Sequence, residues 1–194
     1  MTPRVACAAA LLGQFGWEVP HSVHVSRLAV ELFDQLRSLH QLNGSTRDWL
    51  AAAALLHDIG WTVSGEKHHK HSADLIRAHE ADLVGFTATE VELIANIARY
   101  HRKAAPKLEH GPFAALLPAE RETVRRLAAL LRLADGLDRP HLQAVTKLTC
   151  ELTDRALVIR FQTRVDFEAH LDGARRKTDL LTEVFGRPVE FACL

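Results

Sequence analysis

The sequence predicts a mainly α-helical protein that carries a small α+β extension at its C-terminal end. Two observations support this. Apolar residues recur at helical spacing in several segments between residues 20 and 137, and β-rich runs occur only after them. We therefore expect a helical body over residues 1–142 and an extension over residues 143–194 that packs on the body.

The first two helices are expected near residues 20–39 and 45–56. Leucines and valines at helical spacing form one apolar stripe on the first helix, and His24 lies on that stripe. The segment Ser45-Thr46-Arg47-Asp48 resembles a capping box, and the helix that it opens is apolar on nearly every side. This central helix ends in the polar pair His57-Asp58, which needs partners if it is buried.

Three further helices are expected in the body. One begins near Ser72, just after His71, and the next opens with the capping box Thr87-Ala88-Thr89-Glu90 and carries an apolar stripe that reaches His101. The third follows Pro118, and its apolar stripe is extended by Asp135.

The extension has a different character. Residues 145–151 and 156–162 are rich in β-forming side chains and predict a hairpin. One helix over about residues 166–185 and a third strand over residues 188–192 complete the expected extension. The edge of that third strand offers a surface on which two copies could form a homodimer.

Composition excludes several classes of protein. The 194 residues are 47% hydrophobic and 25% charged, which is ordinary for a globular protein and excludes disordered and fibrous ones. Lys+Arg and Asp+Glu are equal at 24 each, so no net charge attracts DNA or a membrane surface. The sequence has no apolar run long enough to span a membrane and no convincing export signal, so we expect a cytoplasmic protein.

Metal-binding side chains lie on, or at the end of, apolar stripes in five of the expected helical segments. Imidazole nitrogen together with carboxylate oxygen suits one or two divalent transition ions such as Mn, Fe, Co, Ni or Zn. One ion would be held by His24, His57, Asp58 and Asp135, and a second by His71 and His101, with Asp58 between them.

Each of these residues also has a structural interpretation. A single histidine on an apolar face is usually a hydrogen-bonded core residue, and Asp135 could simply end its helix, although a carboxylate is disfavoured there by the helix dipole. The remaining histidines lack a comparable context: His21, His40, His79, His110, His141 and His170 are expected to be surface or structural residues, whereas His68 and His69 stay ambiguous.

The order of these motifs resembles the HD superfamily of metal-dependent phosphohydrolases. More specifically, the segments at residues 55–60, 71–73, 100–103 and 131–139 are similar to the C-terminal domain of Ppx/GppA exopolyphosphatases, from about His21 to Phe191. The resemblance implies a helical HD-type fold and, because the His57-Asp58 pair is intact, a phosphohydrolase with the metal ligands named above. The sequence resembles cyclic-dinucleotide phosphodiesterases of the HD type only partly. Their Gly-Tyr-Pro signature would follow His101, but Arg102-Lys103-Ala104 stands there instead.

The expected reaction is hydrolysis of a phosphate ester or anhydride of a nucleotide or another small phosphorylated compound. Asp58 would be the catalytic residue, and Arg102, Lys103 and Arg132 would bind the phosphate. Relatives in the Ppx/GppA family also carry an actin-like pair of domains, and we expect this chain to act without one.

Two alternatives follow from the same pattern. The first is a non-catalytic, metal-containing module that binds polyphosphate or a guanosine alarmone, or that pairs with a separate actin-like phosphatase subunit. The second is a purely structural metal site.

Overall fold

The computed structural model describes residues 1–102 and 104–194, so the predicted phosphate ligand Lys103 lies outside the described residues, as do the side chains of Phe167, Ala169 and His170. The protein is mainly α-helical, as predicted. Its helices are α1 (Pro3–Phe15), α2 (Val19–Gln35), α3 (Arg37–His40), α4 (Gly44–Leu56), α5 (His68–Ala78), α6 (Ala88–Arg99), α7 (Gly111–Ala114), α8 (Pro118–Leu137), α9 (Phe167–Arg175) and α10 (Asp179–Phe185). The strands are β1 (Val145–Leu152), β2 (Leu157–Thr163) and β3 (Val189–Cys193).

Helix α4 lies at the centre of the helical body. It packs against α1, α2 and α6, and α2 in turn packs against α8. Every residue from Leu50 to Leu56 is buried, and four of the seven are alanines, whose small side chains let neighbouring helices approach closely. The prediction of a central helix that is apolar on nearly every side and ends at His57-Asp58 is therefore confirmed.

Two of the predicted helix starts in the body differ from the structure. Thr87 and Glu90 form the expected capping box of α6. Helix α4, however, is capped by Asn43, whose side chain accepts a hydrogen bond from the Thr46 amide, so the box predicted at residues 45–48 is wrong. Helix α5 begins at His68, after Lys67 in the left-handed region (φ 58°), and not near Ser72.

The extension contains the predicted hairpin. Strands β1 and β2 pair antiparallel, and β3 returns to pair parallel with β2, which is the central strand. The single helix predicted over residues 166–185 is instead two helices, α9 and α10, and the break between them contains Lys177.

The extension packs on the body through a close contact between two glycines. A Cβ atom on Gly173 of α9 would lie 2.5 Å from the Gly136 carbonyl oxygen of α8, and one on Gly136 would lie 2.9 Å from the Gly173 carbonyl oxygen. Only glycine at both positions permits this approach of the two backbones. Within the described residues, no helix is both long and apolar enough to cross a membrane.

Candidate metal centre

Five helices bring imidazole and carboxylate groups to one buried place. His57 and Asp58 follow the last turn of α4, and His101 follows α6. The three other residues belong to helices, namely His21 near the start of α2, His68 at the first position of α5 and Asp135 in the last turn of α8. All six residues are buried.

The close packing of α5 against the turn after α4 places His68 beside Asp58. A Cβ atom on Gly60 would lie 2.1 Å from the His68 carbonyl oxygen, so the start of α5 can rest on this backbone only because residue 60 is glycine. The Gly60 amide also donates a hydrogen bond of 2.9 Å to Ser72 Oγ.

The imidazole rings are held in one orientation by their Nδ1 atoms. His57 Nδ1 donates to the Ala54 carbonyl at 2.7 Å, and His101 Nδ1 donates to the Ala98 carbonyl at the same distance. His21 Nδ1 lies 2.8 Å from Asp138 Oδ2. Because these contacts fix Nδ1, the Nε2 atoms face the centre of the cluster, which is the arrangement that protein metal sites use.

The inward-facing atoms form two adjacent groups. Ligand atoms of His21, His57 and Asp135 lie within 4.8 Å of one another, and so do those of Asp58, His68 and His101. Asp58 faces both groups, because its Oδ2 atom is 3.6 Å from His57 Nε2 while its Oδ1 atom is 3.3 Å from His68 Nε2. A third group joins His21, Asp58 and the half-buried His141.

Several of these atoms lack hydrogen bonds. Among the described residues, His21 Nε2, His57 Nε2 and Asp58 Oδ1 are buried without a hydrogen-bond partner. Leaving such atoms unsatisfied costs about 1–3 kcal/mol each, and a cation placed between them would satisfy them together. The donor set of nitrogen and oxygen therefore fits a divalent metal.

Lys177 provides a positive charge at the edge of the centre. Its Nζ atom donates to Asp135 Oδ2 at 2.6 Å and to the His101 carbonyl at 3.0 Å. Burial alone would raise the pKa of Asp135, but the Lys177 ammonium and the neighbouring histidines together outweigh it, and the pKa is held well below its usual range. Asp135 is thus a carboxylate whose Oδ2 faces Lys177 and whose Oδ1 faces His21, 3.6 Å away.

Burial and charge also set the pKa values of the other groups. Burial lowers the pKa of His101 well below its usual value, which keeps the ring neutral and able to bind a metal. Burial would lower the pKa of His21 too, but Asp135 and Asp138 outweigh it and raise the pKa to about 9. Burial raises the pKa of Asp58, yet the neighbouring His57 and His101 bring it below the usual value.

The structure brings together four of the six predicted metal ligands, His57, Asp58, His101 and Asp135. His24 and His71 belong to none of the three groups among the described residues; their places are taken by His21 and His68, each three residues earlier on the same helix. Residues three apart share one helix face, so apolar periodicity does not distinguish them.

The centre opens into a cavity of about 330 Å³ that is lined by Trp61, Arg102, Arg139, His141 and Lys177 as well as by metal-centre residues. Of the predicted phosphate ligands, Arg102 therefore lies beside the centre. Arg132 does not line this cavity but a neighbouring one. Arg139 and Lys177 are not among the site residues that the sequence predicts.

A stack of aromatic rings leads from the surface to the centre. Trp17 stacks on Trp61 with ring centroids 5.7 Å apart, and Trp61 stacks on His68 at 4.5 Å. His68 stacks in turn on His101 at 5.3 Å. Both tryptophans are more than one third exposed, so the stack forms one wall of the entrance.

The fold and the site together define a mainly α-helical domain whose buried histidines and aspartates could hold a divalent metal ion. The sequence matches the family described as Ppx/GppA phosphatase, domain III, over residues 4–183, which is nearly the whole chain. The chain therefore belongs to the Ppx/GppA phosphatase family, and the resemblance to its C-terminal domain is confirmed at this level.

Proposed function

We propose that this protein is a metal-dependent phosphohydrolase of the HD type, which hydrolyses a phosphate ester or anhydride of a nucleotide or a related compound. The observation that carries the proposal is the convergence of four imidazole Nε2 atoms and two carboxylates in one buried centre. Membership of a phosphatase family supports the same class of reaction.

The proposed ligands form two positions. His21, His57 and Asp135 would hold one divalent transition ion, and Asp58, His68 and His101 would hold a second. Mn, Fe, Co, Ni and Zn all suit this mixture of nitrogen and oxygen ligands. His24 and His71, the ligands that the sequence favoured, would then support the site from outside it.

When bound, a divalent ion supplies Lewis-acid activation of a water molecule and of a phosphoryl oxygen. Asp58 is the proposed catalytic residue, because its two carboxylate oxygens face the two positions and can orient the attacking water. Attack forms a bond from the water oxygen to phosphorus, and the bond to the leaving oxygen breaks. Arg102 and Arg139, which line the entrance, would bind the remaining phosphate oxygens through their guanidinium groups.

A second candidate function is a non-catalytic module that binds metal together with polyphosphate or a guanosine alarmone, or that partners a separate actin-like phosphatase subunit. The observation that favours it is that the matched family description is of one domain, domain III, of a phosphatase. This candidate predicts phosphate-ligand binding without turnover.

The test is reconstitution of metal-stripped protein, followed by elemental analysis and a phosphate-release screen over nucleotides, cyclic dinucleotides, alarmones and polyphosphate. Turnover that returns with manganese or zinc and disappears with a chelator supports the hydrolase. Tight metal binding without turnover on any compound supports the module, and failure to bind any metal contradicts both.

A further inference from the structure

His141 lies beside the metal centre, in the loop that joins α8 to β1. It lines the cavity over the centre together with Asp58 and Asp135. Its side chain is 36% exposed, whereas the side chains of the six proposed metal ligands are at most 9% exposed. His141 therefore approaches the centre from its open side, from which an ion would enter.

The backbone of this loop adopts an uncommon conformation. His141 and Gln143 both lie in the left-handed region, with φ angles of 57° and 49°. Such a conformation costs a non-glycine residue about 1–3 kcal/mol, and it is found most often where a side chain must be presented to a ligand. The cost is therefore a reason to look for a role for the His141 side chain.

Asp138 connects the loop to the first metal position, which is that of His21, His57 and Asp135. The buried Asp138 carboxylate accepts a hydrogen bond from the Gln143 amide at 2.8 Å, and its other oxygen lies 2.8 Å from His21 Nδ1. The His141 amide donates to the Asp138 carbonyl at 2.8 Å. One residue thus fixes both the ring of a proposed ligand and the loop that carries His141.

This arrangement stacks the His141 ring on the His21 ring, with centroids 3.7 Å apart and planes 3° from parallel. Ligand atoms of His21, Asp58 and His141 lie within 4.8 Å of one another. Two nitrogen ligands of one ion, each about 2.1 Å from it, are at most about 4.2 Å apart, so the observed spacing is close to that of a shared ion.

Glu18 gives His141 the surroundings of a metal ligand. Its Oε2 atom lies 3.6 Å from His141 Nδ1. A carboxylate beside one ring nitrogen is typical of histidines whose other nitrogen binds a metal, because it fixes the ring and makes that nitrogen a better donor.

We propose that His141 is a further metal ligand, which binds the ion of the first position from the cavity side. The inference rests on the proposed function in one respect, namely that a divalent transition ion occupies this position. The other ligands lie on helices or directly after them, whereas His141 is carried by a loop. Its loss should therefore weaken the binding of this ion without emptying the position.

The experiment titrates metal-stripped protein with Co²⁺ in competition with a chromophoric chelator, and records the visible absorption of the bound ion. These absorption bands depend on the number and geometry of the ligands. His141→Gly removes the imidazole, and glycine adopts the left-handed backbone without strain, so this variant should fold. One Co²⁺ ion should bind at least about ten-fold more weakly than in the wild type, and its bands should change.

Two matched variants separate metal binding from packing. His141→Phe keeps a ring that can stack on His21 but has no nitrogen, so it should lose as much Co²⁺ affinity as His141→Gly. His79→Ala is the control, because the His79 side chain is 35% exposed and its Nδ1 atom also lies beside a carboxylate, that of Asp82 at 2.8 Å. Among the described residues, His79 belongs to none of the three metal-binding groups, and its variant should keep the wild-type affinity and bands.

The outcomes separate this inference from the proposed function. Wild-type affinity and bands in His141→Gly overturn the inference even if the protein hydrolyses phosphate compounds. Loss of affinity in His141→Gly but not in His141→Phe also overturns it, because the ring then acts by packing. Equal loss in both variants supports the inference even if no compound is turned over, in which case only the hydrolase proposal fails. A wild-type protein that binds no Co²⁺ overturns both.

Discussion

The metal centre lies beside a second cavity of about 310 Å³, and the two regions differ in their chemistry. We call the second one the arginine cavity, because its charged lining residues are Arg102, Arg132, Arg139, Arg176, Lys177 and Asp179. In the first, the outer nitrogen atoms of His57 and His101 are hydrogen-bonded to backbone carbonyls and that of His21 to Asp138, so that the Nε2 atoms face inward. In the second, guanidinium groups form most of the charged lining, and two of them pair with carboxylates, Arg132 with Asp179 and Arg176 with Asp172. The comparison teaches that one end of this site is suited to cations and the other to anions, with Arg102, Arg139 and Lys177 between them.

The largest expected effect is that of Asp58→Ala, which should destroy the metal centre and spare the arginine cavity. Loss of a residue that only hydrogen-bonds to a metal ligand weakens metal binding by up to about 100-fold. Asp58 faces both proposed metal positions directly, so its loss should weaken metal binding by more than that. Elemental analysis should find almost no bound metal, and phosphate release should cease.

The control for this variant is Asp74→Ala, which removes an exposed carboxylate of α5 that pairs only with Arg77 among the described residues. It should retain the wild-type metal content. Wild-type metal content in Asp58→Ala would show that the ligands have been assigned to the wrong residues.

Lys177→Met tests the boundary between the two regions. Without the ammonium, the buried Asp135 carboxylate has lost its counter-charge, so metal-free protein should be destabilised by about 3 kcal/mol. Saturating manganese should restore most of this loss, because the ion then balances Asp135. Urea denaturation with and without metal measures both values.

Arg176→Met, one residue earlier and exposed, should change the free energy of unfolding by less than about 0.5 kcal/mol. If Lys177→Met lost as much stability with metal as without it, Lys177 would stabilise the core by packing and would not act as the counter-charge of Asp135.

A pair of histidine variants sharpens the description of the metal centre. His68→Ala should reduce the number of bound ions by one, because His68 Nε2 lies 3.3 Å from both Asp58 Oδ1 and His101 Nε2. His71→Ala, one turn further along α5, should keep the wild-type number. Elemental analysis of the two proteins, prepared in parallel, measures the number of bound ions. Loss of an ion in His71→Ala but not in His68→Ala would favour His71, the ligand predicted from the sequence.

The last prediction concerns the pH dependence of the metal-free protein. The pKa of His21 is raised from 6.5 to about 9 by Asp135 and Asp138, which outweigh the opposing effect of burial. A raised pKa in the folded state means that the stabilisation is complete below pH 6.5 and is lost as the pH rises through 9. Thermal unfolding should therefore show a lower Tm at pH 10 than at pH 7. His21→Gln should reduce this difference in Tm between pH 7 and pH 10. An equal difference in both proteins would contradict the assignment of the raised pKa to His21.

The sequence predicts the fold class and four of the residues that the structure brings together, His57, Asp58, His101 and Asp135. The apolar stripes of α2, α4, α6 and α8 are long and regular, and the polar residues that interrupt them or follow them, such as His57, Asp58 and Asp135, are conspicuous for that reason. The hairpin was equally clear, because β-forming residues alternate on both sides of a short turn.

The remaining site residues depend on details that periodicity does not contain. His21 and His68 are each one helical turn from the residue that the pattern favoured, and which turn faces the centre depends on where the helix begins and how it is rotated. Lys177 reaches Asp135 because the chain breaks between α9 and α10 and because Gly173 lets α9 approach α8. Such contacts arise only from tertiary packing.

The stack of Trp17, Trp61, His68 and His101 has a consequence for spectroscopy. Trp61 lies against His68, a proposed metal ligand, so an ion that binds His68 changes the electronic surroundings of an indole ring 4.5 Å away. Trp49, which hydrogen-bonds to Glu90 on α6, lies outside this stack and provides a constant background. Binding of an ion at the proposed second position should therefore change tryptophan emission, which can be followed without any added label.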